Sequence, residues 1–210
     1  MPPDFAVEFV SERLSQKKIL FLTNNLSVTS FLFDWLRHEE GHDKIILWQK
    51  ALNPASFEDE FADVYFLVSY NYKYILPKTI VDIFPGRAFN LHISLLPWNR
   101  GASPNLWSFI NNTPKGVTIH LIDEGLDTGD ILYQMQLFFD EELETFESSY
   151  KKLHESVQEL FCANWQCMKR GAINPIKQGS VHTKQETAGF VSKHAISWKE
   201  RIIDVKRRCM

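Results

Sequence analysis

Short apolar runs recur along the chain and alternate with longer polar or amphipathic stretches. Six of these runs have the length and the branched or aromatic content of buried strands, and they span 17–23, 44–48, 64–69, 89–94, 116–122 and 131–139. Between the first two runs, residues 26–40 carry apolar side chains at near-helical spacing, and Gly41 predicts the end of that helix. The alternation predicts an α/β fold with an open, mostly parallel, twisted sheet flanked by helices.

The remaining helices are predicted from turn residues and periodicity. We expect a helical turn within 56–64, short helices at 78–84 and 105–111, and a long helix at 145–170 that packs across the sheet. Asn24, Asn25 and Ser27 are candidates to cap the first helix. The basic segment 189–210 is interpreted either as a terminal amphipathic helix or as a partly ordered tail, with a solvated basic face.

Composition and charge narrow the choice of partners. The chain has 210 residues, of which 44% are hydrophobic and 23% charged, with a formal net charge of −3. This balance does not favour a nucleic-acid partner. The acidic start lacks an apolar leader core and no uncharged run could cross a bilayer, so we expect a cytoplasmic protein without a membrane partner. Cys162, Cys167 and Cys209 lack Cys-x-x-Cys spacing and are expected to be free, buried thiols.

Polar residues at the end of the fourth predicted strand are the candidate chemistry. Asn90 and His92 lie two residues apart, so both side chains lie on one face of the strand. Ligands of open parallel sheets collect beyond the carboxyl ends of the strands. Asp127 lies in a turn flanked by Gly125 and Gly129, where the backbone can approach a flat ligand. We therefore expect an amide, an imidazole and a carboxylate to meet in one cleft.

These three groups suit the transfer of an acyl group to an amine. The Asn90 amide can donate a hydrogen bond to the oxyanion, and His92 can add a second donor or carry a proton. Asp127 would hold the imidazole and raise its proton affinity. Two other interpretations stay open: polar groups that cap a strand end for structural reasons, and a metal site built from His92, His120 and Asp127.

Two motifs carry a resemblance to a known family. FNLHISLLPWNRGA followed by GVTIHLIDEGLDTGDIL resembles the formyltransferase fold family. The resemblance implies a Rossmann-like formyltransferase catalytic domain at 17–172, between an N-terminal extension at 1–16 and a C-terminal extension at 173–210. It implies that Asn90, His92 and Asp127 are catalytic, that the formyl donor is 10-formyltetrahydrofolate, and that no metal takes part.

The same resemblance implies where the folate binds. The backbone of Tyr74, Ile75 and Leu76 is expected to meet the pterin ring, and the loop that includes Asp123, Glu124 and Gly125 is expected to line its other side. The first strand-to-helix turn, LTNNLSVTS, lacks the glycines that cradle a monophosphate in glycinamide ribonucleotide formyltransferase. The residues after Arg170 are too few for the barrel domain of methionyl-tRNA formyltransferase.

The chain is therefore most similar to the sugar N-formyltransferases, which act on nucleotide-linked amino sugars for surface polysaccharide such as lipopolysaccharide O-antigen. A 4-amino-4,6-dideoxyhexose on dTDP or GDP is the acceptor that this resemblance suggests, and a homodimer is an open alternative to a monomer. The predicted substrate-binding residues are Ser94, Trp98, Arg100, Gly101, Trp107 and Lys115. Arg100 and Lys115 would answer the charge of a pyrophosphate. Trp98 and Trp107 would wall the sugar or base, unless they pack in the core.

Other functions remain as alternatives. They are a glycinamide ribonucleotide formyltransferase of purine synthesis, a formyltetrahydrofolate hydrolase with water as the attacking group, and a module that binds folate or nucleotide sugar without chemistry. A dinucleotide-dependent oxidoreductase is disfavoured, since no Gly-x-Gly-x-x-Gly follows the first strand.

Overall fold

Six strands and seven α-helices make up the described part of the protein. The structure is a computed structural model that describes residues 17–179 and 187–209. The strands are β1 (Lys18–Leu22), β2 (Ile45–Trp48), β3 (Val64–Tyr70), β4 (Ala88–His92), β5 (Lys115–Leu121) and β6 (Ile131–Leu137). The helices are α1 (Leu26–Glu40), α2 (Phe57–Glu60), α3 (Lys78–Val81), α4 (Pro104–Ile110), α5 (Phe146–Lys169), α6 (Thr187–Lys193) and α7 (Ile202–Cys209).

The strands form a single six-stranded sheet in the order β2-β1-β3-β4-β5-β6. β1 pairs in parallel with both β2 and β3, whereas β5 and β6 are antiparallel. The predicted α/β class and mostly parallel sheet are confirmed. The chain divides into two compact units, one ending at Phe89 and the other starting at Asn90.

In the first unit, β1 lies between β2 and β3 and is apolar after Lys18. Ile19, Leu20, Phe21 and Leu22 are each at most 1% exposed, as expected for a parallel strand covered on both faces. α1 begins after Asn25, but the Asn25 side chain accepts the Ser27 hydroxyl at 2.6 Å and caps no helix amide. The predicted side-chain capping at this helix start is therefore wrong.

In the second unit, the long helix α5 starts at a well-defined cap. Thr145 accepts the backbone N–H of Ser148, and Ser148 accepts that of Thr145, so two otherwise unpaired amides are satisfied. β4 ends at His92, two residues earlier than predicted, since the Ser94 carbonyl accepts the Thr118 hydroxyl at 2.7 Å instead of extending the strand.

The C-terminal segment forms two short helices rather than one amphipathic helix. Two of its cations are paired, since Arg208 lies 2.9 Å from Glu200 and Lys206 lies 2.5 Å from Glu141. Lys193 and Lys199 are exposed, as the prediction of a solvated basic face expects. Burial of Ile202 and Val205 in the cluster around Phe146 anchors α7, so this end of the chain packs instead of remaining a tail.

The predictions for the cysteines are correct only in part. All three cysteines are free as expected, but Cys167 is exposed and the other two are half-buried, so their predicted burial is wrong. None of the described helices combines the length and apolar character needed to span a bilayer. The extension at 1–16 lies outside the described residues, and the domain boundaries at 17–172 and 173–210 remain predictions.

His154 makes stability depend on pH. It is 4% exposed and contacts the Tyr150 ring, and burial lowers its pKa from 6.5 to about 3. Below pH 6.5 the unfolded chain binds a proton at this residue and the folded chain does not, so stability falls as the pH drops toward 3. This contributes up to about 1.4 kcal/mol per pH unit.

We therefore expect His154→Gln to flatten the dependence of unfolding free energy on pH between 6.5 and 4.5, measured by urea denaturation. The matched control, His42→Gln, replaces an exposed histidine and should keep the wild-type slope. Equal slopes in wild type and His154→Gln would contradict the assignment.

Candidate active site

Asn90 and His92 occupy the carboxyl end of β4, on the face opposite Phe89 and Leu91. Phe89 and Leu91 are buried at 1% and 3% exposure, which fixes the register of the strand. His92 is itself only 7% exposed, whereas Asn90 is half-buried. The carboxyl end of β4 therefore presents both polar side chains on one face.

Asp127 reaches these groups from the turn that follows β5. Its backbone has φ 53°, and the turn closes so tightly that a Cβ on Gly129 would lie 1.8 Å from the Leu121 carbonyl oxygen. One carboxylate oxygen, Oδ1, accepts the Asn90 amide at 3.1 Å, and the other, Oδ2, accepts the Gly101 N–H at 2.9 Å. The three predicted catalytic groups are thus brought together.

The Asn90 side chain is held in one orientation by two acceptors. His120 Nδ1 lies 2.7 Å from the Leu121 carbonyl oxygen, and because a carbonyl only accepts, Nδ1 carries the proton. His120 Nε2 then accepts from Asn90 Nδ2 at 3.0 Å, while the second Asn90 hydrogen goes to Asp127. Both amide donors are committed, which leaves Asn90 Oδ1 to meet a ligand directly.

His92 is a buried imidazole with an oxygen acceptor near each ring nitrogen. Burial lowers its pKa, and the Asp127 charge opposes that shift. Its Nε2 lies 3.3 Å from the Asn99 carbonyl oxygen and its Nδ1 lies 3.6 Å from Asp127 Oδ2. The neutral ring has one N–H group, which can point at only one of these oxygens. The imidazolium has two N–H groups, one toward each oxygen.

Asp127 is the fixed negative charge of the site. Burial alone would raise the pKa of this carboxyl, but the positive charge of His92 in its protonated form and the Gly101 N–H hold it well below its usual range. The side chain is therefore ionised at neutral pH and able to stabilise a proton on His92.

A residue that sequence reasoning missed connects this turn to the loop after β4. Gln178 Nε2 donates to the Asp127 and Gly129 carbonyl oxygens at 3.1 and 2.5 Å, and Gln178 Oε1 accepts from Arg100 at 2.7 and 3.2 Å. Nothing in the local sequence marks Gln178, because it lies 51 residues after Asp127 in a segment without clear periodicity. The contact exists only in the folded chain.

The predicted substrate-binding residues separate into two groups. Ser94, Trp98, Arg100 and Gly101 belong to the loop that follows β4; the Ser94 hydroxyl donates to the Trp98 carbonyl, and Trp98 is 36% exposed. This loop also supplies the Gly101 N–H to Asp127. These four residues stay in the candidate site.

Trp107 and Lys115 have partners outside the trio. Trp107 is 7% exposed, packs on Phe190 with ring centroids 4.8 Å apart, and belongs to the core cluster of the second unit. Lys115 begins β5, about 15 Å along the strand from His120, and its ammonium pairs with Glu141 at 3.6 Å. The structure supports core packing for Trp107 and pairs Lys115 with an acidic side chain, so their predicted contacts with a substrate remain predictions.

The predicted folate segments remain predictions. In the first unit, Tyr74 and Ile75 are 36% and 77% exposed and Leu76 is buried. In the second unit, Asp123 accepts the Gly125 N–H at 3.0 Å, which shapes the turn, and Glu124 is exposed. Both segments thus offer accessible positions within their own units.

The alternative of a metal site finds no support in the geometry. His120 Nε2 accepts the Asn90 amide, so the lone pair that a metal would need is already used. Within the described ranges, no group of three or more histidine, cysteine, aspartate or glutamate side chains is arranged to hold a metal ion.

Comparisons with known proteins agree with the two motifs. A family model described as formyl transferase matches residues 49–164, more than half of the chain. Methionyl-tRNA formyltransferase of Thermodesulfovibrio yellowstonii is 42% identical over 137 residues, which cover 65% of this chain and 41% of that protein. The chain thus spans less than half the length of this curated relative.

Solved structures show the same fold. The formyltransferase PseJ of Anoxybacillus kamchatkensis, in complex with UDP-4,6-dideoxy-4-formamido-L-AltNAc and tetrahydrofolate, has a TM-score of 0.81 and 35% identity, covering 92% of this chain and all of PseJ. An N-formyltransferase of Helicobacter canadensis, bound to folinic acid and dTDP-3-aminofucose, has a TM-score of 0.66 and 23% identity over 92% of this chain and 80% of its own.

The resemblance predicted from the residues around Asn90 and Asp127 is confirmed by the family model, which spans both motifs. The chain belongs to the formyl transferase family.

Proposed function

We propose that the chain transfers a formyl group from 10-formyltetrahydrofolate to the amine of a nucleotide-linked amino sugar. The observation that carries this proposal is the convergence of Asn90, His92 and Asp127 in hydrogen-bonding and ion-pair distance. PseJ, 35% identical over nearly the whole of this chain, holds a formamido sugar nucleotide and tetrahydrofolate, the two products such a reaction would leave.

The reaction begins with attack of the neutral sugar amine on the formyl carbon. His92 takes the proton that the amine releases at Nε2, whose 3.3 Å contact with the Asn99 carbonyl opens, and the Nδ1–H of the resulting imidazolium faces the Asp127 carboxylate. The tetrahedral intermediate then collapses as the C–N bond to the folate breaks, and His92 returns the proton to the leaving nitrogen. The products are the N-formyl sugar and tetrahydrofolate.

Asn90 can act in two ways in this reaction. In the orientation held by His120 and Asp127, its Oδ1 accepts an N–H of the attacking amine and directs the nitrogen lone pair at the carbonyl. Donation to the oxyanion, as expected from the sequence, requires that one of these two hydrogen bonds exchange for the new one.

The proposal also specifies the acceptor, the molecule whose amine receives the formyl group. A nucleotide-linked sugar is supported by PseJ, and Arg100 in the loop beside Asp127 offers a cation for its diphosphate. A second candidate acceptor is methionyl-tRNA, favoured by the 42% identity over 137 residues to a methionyl-tRNA formyltransferase. A role in surface polysaccharide synthesis in the cytoplasm follows from the first acceptor and stands or falls with it.

The first experiment offers 10-formyltetrahydrofolate with a panel of UDP-, dTDP- and GDP-linked amino sugars, glycinamide ribonucleotide and methionyl-tRNA, and follows the acceptors by mass spectrometry. We expect the mass of one formyl group to appear on an amino sugar. Formyl transfer only to another acceptor would refute the proposal. Equal donor consumption without any amine, with release of formate, would identify a hydrolase, and binding without turnover would identify a binding module.

Replacing His92 or Asp127 by Asn should lower kcat about 100- to 10,000-fold, because each variant removes the base or the charge that stabilises its protonated form. Circular dichroism should show an intact fold. Asp59→Asn, which changes an exposed aspartate of α2 in the same way, is the matched control and should keep wild-type rates. Near-wild-type turnover in His92→Asn would remove this residue from the mechanism.

The protonation of His92 can be followed directly by NMR of its ring proton. Because burial lowers the pKa of His92, the titration midpoint should lie below 6.5, so the base stays neutral through the physiological range and loses function only at lower pH. Asp127 acts in the opposite direction, so Asp127→Asn should move the midpoint further down. A wild-type midpoint above 6.5, or a rise in the variant, is inconsistent with these roles.

A further inference from the structure

We propose that Gln178 is a positioning residue, which clamps the Asp127 turn to the Arg100 loop and thereby holds the carboxylate beside His92. The segment that carries Gln178, the Asp127 turn, the Arg100 loop and the strand end at His92 all belong to the second unit of the chain. The inference rests on the proposed function for its kinetic consequence, but the clamp itself is a feature of the free protein.

Both ends of the Gln178 carboxamide are in use. The Nε2 hydrogens go to carbonyl oxygens on the two sides of the turn apex, at Asp127 and Gly129, and the oxygen accepts both Arg100 Nε and a terminal Arg100 nitrogen. A half-buried side chain with four such contacts loses most of its rotamer freedom and fixes its partners relative to each other. One side chain thus bridges two loops.

The backbone of the Asp127 turn needs such support. Asp127 has a left-handed φ of 53°, a conformation that is unfavourable for a non-glycine residue and persists when its surroundings enforce it. The Gly101 N–H holds the carboxylate itself. Gln178 holds the carbonyl of the same residue, so the side chain and the backbone of Asp127 are fixed separately.

A short antiparallel bridge delivers Gln178 to this place. Ile176 and Ile131 exchange two backbone hydrogen bonds of 2.8 Å at the start of β6. Two residues later along the extended chain, Gln178 lies level with the end of the turn. The segment after α5 therefore contributes to the candidate site through a side chain rather than only by covering the fold.

The neutrality of the clamp matters as much as its geometry. Arg100 bonds to an amide oxygen and, at 3.0 Å, to the Gly179 carbonyl oxygen, and among the described side chains no carboxylate pairs with it. Its full positive charge is therefore kept for an anionic acceptor such as a diphosphate. A glutamate at 178 would neutralise Arg100 and repel the two turn carbonyls.

The test compares Gln178→Ala and Gln178→Glu with Lys177→Ala, a matched control at the exposed neighbouring position. Gln178→Ala should lower kcat about 10- to 100-fold with little change in the KM for the folate donor, since a displaced Asp127 no longer supports His92. Gln178→Glu should in addition raise the KM for the anionic acceptor at least several-fold. Lys177→Ala should match the wild type.

A second measurement does not need a substrate. Because Gln178 acts through Asp127, Gln178→Ala should lower the NMR titration midpoint of His92 toward its value in Asp127→Asn, and should not lower it further in the Asp127→Asn background. A wild-type midpoint in Gln178→Ala, or an additive effect in the double variant, would overturn the clamp whichever acceptor is used. If the midpoint shifts as expected but no sugar is formylated, the clamp stands and the proposed function fails.

Discussion

The ionised carboxylate of Asp127 is the interaction on which the candidate site depends. A side chain with 11% of its surface exposed can keep its charge only if donors replace the water it has lost. Those donors come from separate segments: the Asn90 amide at the end of β4 and the Gly101 N–H in the following loop. Satisfying one buried charge therefore draws the strand end, the loop and the turn together.

This charge also defines what His92 can do. The ring lies in a site that burial makes unfavourable for a cation, yet it faces a carboxylate and a carbonyl that would both accept from an imidazolium. A base of this kind is neutral before the reaction and stabilised when it takes a proton. Formyl transfer between two nitrogens requires a proton to leave one amine and reach another, and this pair can carry it.

The role proposed for the trio is compatible with several acceptors, since it concerns only the formyl carbon and a neutral amine. Relatives named for tRNA and for sugar substrates share this family. The choice of acceptor would then depend on groups around the trio. One of these is Arg100, which directly precedes Gly101, the residue whose N–H donates to Asp127. The proposed chemistry and the proposed choice of acceptor thus depend on different residues.

The sequence by itself determined most element types, the α/β class and the two motifs that mark the family, because hydrophobic periodicity and short motifs are local properties of the chain. It also placed Asn90 and His92 on one face of a strand, which follows from the alternation of side chains. It could not reveal the partners of Trp107 and Lys115, since Phe190 and Glu141 are distant in the chain. The roles of His120 and Gln178 were decided only by the tertiary structure, since a tautomer and a clamp exist only once segments far apart in sequence have packed together.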